Sequence, residues 1–108
     1  MKEMNFNEAV GRSVEIRKRY HHLEQQYHEK EWTVEEDALA FLTDAGLVGR
    51  LTMSQQGRWP TNGETKDELE HKLGECIWWI IILAERMNID ISEALEKFLS
   101  KTEKQLRD

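Results

Sequence analysis

Two carboxylates stand in apolar surroundings in this sequence, and through them it could do chemistry. Asp44 is the only acid between Leu39 and Ser54, and Glu75 sits at the edge of an unbroken apolar run from Cys76 to Ala84. A charged group in such a place needs water, a partner or a metal. If two helices carry the acids to the same level, they could share a hard divalent cation such as Mg²⁺, which takes oxygen ligands. The competing reading is that each is salt-bridged, Asp44 for example to a basic residue of the first helix. His71, four residues before Glu75 on the same helical face, is the one further side chain placed to join. Asp37 and Glu68 lie two turns before the two acids, about 10–11 Å away, too far to serve as ligands at the same site.

Other residue types that could do chemistry are less well arranged. The rings of His21 and His22 point about 100° apart on a helix and, with His28, make no ligand pair. Glu68 and His71 form one Glu-x-x-His, but a di-iron bundle needs a second. Cys76 is the sole cysteine, which rules out an internal disulfide, and its apolar neighbours suit a small buried hydrophobe; a reducing cytoplasm is expected. Trp59 could cover a core edge or stack on a base. Arg12, Arg17, Lys18 and Arg19 read as a solvated helix face. A formal net charge of −6 argues against nucleic acid as a partner. The nine-residue apolar run falls well short of the roughly 20 that cross a bilayer, and the first residues lack a signal peptide's apolar segment, so no membrane partner is expected.

The elements that must position Asp44 and Glu75 are helical. One Pro and six Gly in 108 residues leave little turn chemistry. A first helix is expected over about 7–27 with Asn5 as N-cap, its apolar stripe made of Phe6, Val10, Val14, Ile16, Tyr20, Leu23 and Tyr27. Thr33 and Glu36 form a capping box that opens a second helix reaching about Ser54. Along it Leu39, Leu42, Gly46, Gly49 and Met53 share one side, with Phe41, Ala45 and Val48 widening the apolar face. The two glycines suggest close approach of another helix. A loop over 55–64 contains Gly57-Arg58-Trp59-Pro60 and Asn62-Gly63. Thr65 and Glu68 form a second capping box, and the third helix, expected to be buried almost all round between Cys76 and Ala84, should end near Asn88. Asp90 to Glu93 starts a fourth helix carrying Ile91, Ala94, Leu95, Phe98 and Leu99, with a tail after Lys104 expected to fray. The sum is one all-α domain over 1–108, a four-helix bundle. The third helix carries more apolar surface than three short neighbours would cover, so a homodimer or higher oligomer is expected.

The stretches Trp32–Leu47, Gly57-Arg58-Trp59, His71–Trp78 and Ala84–Asp90 together resemble the MazG-type nucleotide pyrophosphohydrolases, and the likeness runs in order over about residues 20–103. That resemblance implies an all-α MazG-like fold and hydrolysis of nucleoside triphosphates to monophosphate and pyrophosphate. It also implies Mg²⁺ held by Glu-x-x-Glu on one helix and Glu-x-x-Asp on the next. Residues i and i+3 share a helical face, so two such pairs can surround a cation. Here the first motif falls on Asp44-Ala45-Gly46-Leu47 and the second on Lys72-Leu73-Gly74-Glu75, so two of the four acids are kept and the others are Leu and Lys.

The resemblance thus implies Asp44 and Glu75 as metal ligands, with His71 as a substitute, and no assigned catalytic residue. Lys72, Lys101, Arg58 and Trp59 become candidates for contact with a nucleoside triphosphate. Lys101-Thr102 stands where the family has Lys-Asn. Two functions are expected in competition. One is a Mg²⁺-dependent nucleoside triphosphate pyrophosphohydrolase; the other is a catalytically degenerate MazG-like module that binds nucleotide or another protein.

Overall fold

The structure is a computed structural model and describes residues 3–61, 63 and 65–107. Asn62 of the expected turn, Glu64 at the end of that loop, the first two residues of the signal-peptide reading and Asp108 lie outside the described residues. Among the described residues four helices form in the expected order: α1 Phe6–His28, α2 Val34–Gln55, α3 Lys66–Arg86 and α4 Ile91–Arg107. Among the described residues there is no strand, and no helix is long and apolar enough to cross a membrane. The chain divides into two compact units, one of residues 1–31 with 84–108 and the other of residues 32–83.

Residues 32–83 form a helical hairpin. Thr33 accepts from the Glu36 amide while the Glu36 carboxylate accepts from the Thr33 amide, so two otherwise orphaned donors are satisfied and α2 begins where the capping box places it. α2 ends in a Schellman turn. The Arg58 amide donates to the Met53 carbonyl and the Gly57 amide to that of Ser54, with Gly57 at φ +74, a conformation that costs glycine little. Ser54 then bonds the Thr65 hydroxyl at 2.9 Å, and the Thr65 carbonyl takes the Leu69 amide, which ties the start of α3 to the end of α2. Ser54 pairs with Thr65 while Asp44, ten residues earlier, pairs with residues 72 and 79, so the two helices run antiparallel.

Burial in this unit corrects the expected faces. The buried ridge of α2 is Asp37, Asp44 and Leu51, spaced seven apart, and α3 buries Trp79, Ile81 and Ile82. The Leu39, Leu42, Gly46, Gly49, Met53 side of α2 is exposed, Leu39 at 64% and Leu42 at 66%. Among the described residues no atom lies within 4 Å of where a Cβ would stand on Gly46 or Gly49, so α3 does not approach them closely. Nor is α3 buried all round, since Ile77 is 56% exposed and Leu73 and Ile80 are exposed beside it. Helical spacing identifies residues that share a face; it does not say which face turns inward.

The other unit holds α1, the last turn of α3 and α4. Asn5 caps α1 by accepting from the Glu8 amide, as expected, and the helix stops at Glu29 in the left-handed region. α1 turns a polar side inward: Ser13 and Arg17 are buried, and Arg17 pairs with Glu24 at 3.1 Å, while Ile16, Tyr20, Leu23 and Tyr27 of the expected stripe are exposed. The end of α3 is a second Schellman turn. The Ile89 amide donates to the Ala84 carbonyl and the Asn88 amide to that of Glu85, with Asn88 at φ +59. Asp90 caps α4 by accepting from the Glu93 amide. α4 stays helical through Arg107 instead of fraying at Lys104.

Candidate functional site

Asp44 on α2 and Glu75 on α3 face a common point, and the amino group of Lys72 occupies it. Lys72 Nζ donates to Asp44 Oδ1 at 3.1 Å and to Glu75 Oε1 at 2.9 Å. The second reach is the ordinary i, i+3 neighbourhood of a helix; the first crosses the hairpin. Trp79, one turn beyond Glu75, donates its indole N–H to Asp44 Oδ2 at 2.9 Å. Both oxygens of Asp44 therefore accept from a fixed donor. This corrects the reading in which Asp44 pairs with a base on the first helix, because its cation comes from the neighbouring helix of the same hairpin.

Burial would raise the Asp44 pKa, but the hydrogen bonds from Lys72 and Trp79, together with the Lys72 charge, outweigh it and hold the carboxyl below its ordinary value. Lys72 is raised above the usual lysine value by its hydrogen bonds to Glu75 and Asp44, so it stays an ammonium at neutral pH. Burial first, and then the charges of Asp44 and Glu75, push the Cys76 thiol up. His71 lies at the edge, with Nε2 3.7 Å from Glu75 Oε1, beyond hydrogen-bond range, and a largely exposed ring.

The remaining expected residues of this hairpin do not join the cluster. Leu47 is 40% exposed. Arg58 and Trp59 are exposed in the loop. Trp59 packs against Arg50, whose guanidinium carbon lies 3.9 Å from the ring centroid and whose Nη1 donates to the Trp59 carbonyl at 2.7 Å. Lys101 is exposed on α4, in the other unit. A cavity of about 400 Å³ in that unit, bordered by Asn7, Val10, Glu85, Asn88 and Asp90 among others, contains none of the expected site residues.

Trp79 and Arg50 were not among the sequence candidates. Trp79 had a signal, since it stands four residues after Glu75 and seven after Lys72, on one helical face. Nothing in the sequence marks Arg50 as the partner of Trp59.

A divalent cation does not fit the cluster in this form. Asp44 and Glu75 are the two acids, the point between them is filled by an ammonium, and both Asp44 oxygens are already bonded. Among the described residues no three His, Cys, Asp or Glu side chains are grouped to hold a metal ion. Two carboxylates and one ammonium leave a formal charge of −1 at the cluster. Comparison with protein-family models, curated proteins and solved structures found no match to this chain.

Proposed function

We propose that this chain is a MazG-like module in which Lys72 stands as an internal ammonium where the hydrolases of that family carry their cation, and that it acts as a homo-oligomeric protein-interaction module without pyrophosphohydrolase activity. The observation that carries this reading is Lys72 Nζ at 3.1 Å from Asp44 and 2.9 Å from Glu75. A lysine there supplies the positive charge that keeps two semi-buried carboxylates together. Unlike Mg²⁺ it has no open coordination position with which to bind a phosphate oxygen or a water. Asp44, Glu75, Lys72 and Trp79 then hold the hairpin together.

Release of pyrophosphate from a panel of nucleoside triphosphates with Mg²⁺ or Mn²⁺ tests this. No release and no calorimetric Mg²⁺ binding is the expected result for the native chain. Release that disappears in Glu75→Ala would overturn the reading in favour of a Mg²⁺-dependent pyrophosphohydrolase with Asp44 and Glu75 as ligands. Combining Leu47→Glu with Lys72→Glu rebuilds four acids and is expected to create Mg²⁺ binding. If it does not, the proposed correspondence with the family motifs is wrong.

A further inference from the structure

We propose that His21 is a proton-operated latch on the C-terminal half of α1. While the ring is neutral the last two turns of α1 and the residues up to Glu31 stay closed; when it takes up a proton they open locally. From Lys18 to Glu31 only His21 and Glu24 are withdrawn from solvent, and every other residue is exposed. These two side chains therefore anchor the end of the helix, and a segment with so few buried contacts opens at low cost. The helix stop adds strain, because Glu29 takes the left-handed conformation at φ 63 without being glycine.

The surroundings of the ring suit one charge state only. His21 Nε2 is buried with no hydrogen-bond partner, and Nδ1 lies 3.7 Å from Glu31 Oε2, beyond hydrogen-bond range. A neutral imidazole can keep its one hydrogen on Nδ1, on the side of Glu31, and leave Nε2 as a bare acceptor. A protonated ring carries a hydrogen on Nε2 as well, enclosed where no acceptor meets it. Charge acts in the same sense. The groups that bear most on the ring are Arg17 and Glu24 of α1, Glu31 of the segment after it and Arg86 at the end of α3. Two guanidiniums and two carboxylates cancel formally while His21 is neutral, so its proton adds unmatched positive charge. Burial first and then Arg17 hold the ring below the ordinary histidine value, against the pull of Glu31. The proton therefore goes more readily to a ring in water, and the turn that carries His21 must open to put it there. The closed form keeps its full advantage above the ordinary value near 6.5 and loses it as pH falls below.

The test is amide hydrogen exchange of the full chain at pH 7 and pH 5, corrected for the intrinsic effect of pH on exchange. A ring that stays neutral while closed and titrates near 6.5 when open sets a ceiling of about 25-fold on the loss of protection between these two values. Residues 21–28 of the native chain are expected to lose about 5-fold to 25-fold, and at pH 5 to remain at least about 10-fold less protected than residues 79–84 of α3, the mark of a local opening. His21→Gln, which keeps His22 and His28, is expected to abolish the loss. Glu31→Gln removes the carboxylate beside Nδ1, and is expected to keep the loss or to enlarge it towards the ceiling. A loss below about 3-fold in the native chain overturns the proposal, as does protection over 21–28 equal to that over 79–84, which would make the opening global. So does an undiminished loss in His21→Gln, or one that vanishes in Glu31→Gln. If His21→Gln fails to fold, the native chain and Glu31→Gln decide.

Discussion

Replacing Lys72 by Met keeps the aliphatic stem and removes the ammonium that Asp44 and Glu75 share. The loss can be sized from the surroundings. Asp44 has a side chain 12% exposed and keeps one donor, the Trp79 indole; Glu75 is 30% exposed and can turn to water. Removing one partner of a fully buried ion pair costs about 3–5 kcal/mol, and exposed pairs are worth about 0–1. With Lys72 itself 26% exposed, the expected cost lies between these, about 2 kcal/mol at pH 7.

The pH dependence makes this specific. In the native chain the Asp44 pKa is depressed, so its contribution is present above the unfolded carboxyl value and is lost as pH falls through the folded one. Without Lys72 the hydrogen bond and charge that it supplies are lost and the folded pKa rises, so less stability depends on the ionised carboxyl. The stability gap between native chain and Lys72→Met is thus expected to be widest at pH 7 and to narrow as pH falls through about 4, near the ordinary carboxyl value. Urea unfolding at a series of pH values measures it. A gap below about 0.5 kcal/mol at pH 7, the size of an ordinary surface substitution, or one that does not change with pH, would refute the reasoning.

Trp79→Phe keeps most of the buried ring but withdraws the indole donor from Asp44, and is expected to cost about 1–3 kcal/mol in denaturant unfolding and to raise the Asp44 pKa in a carboxyl NMR titration. Thr33→Ala breaks the capping box of α2 and should lower stability by about 1 kcal/mol, with hydrogen exchange accelerated in the first turn of that helix. His21 is held below its ordinary value by burial and then by the Arg17 charge, with Arg86 adding to it, while Glu31 and Glu24 act in the opposite sense. A depressed histidine contributes stability above its unfolded pKa that is lost as pH falls through the folded value. His21→Gln is therefore expected to flatten the fall in stability below about pH 6.5, as read from thermal unfolding across that range.

What the sequence determined by itself was local. Asn5, the Thr33 and Glu36 pair, Gly57 and Asn88 mark helix ends because capping and left-handed turns depend on residues within a few positions of one another. Asp44 and Glu75 were legible as the acids to follow because a carboxylate among apolar residues needs a partner wherever the chain folds. The tertiary structure decided the identity of that partner. Lys72 could have pointed to solvent from its place three residues before Glu75; only the antiparallel pairing of α2 with α3 brings Asp44 within reach and makes an ion pair closed by Trp79. It also decided sidedness. Each of α1 and α2 has an apolar stripe and a mixed one, and periodicity is the same whichever is turned inward, so the burial of Arg17, Asp37 and Asp44 and the exposure of Leu39 and Leu42 follow from partners that no single helix contains.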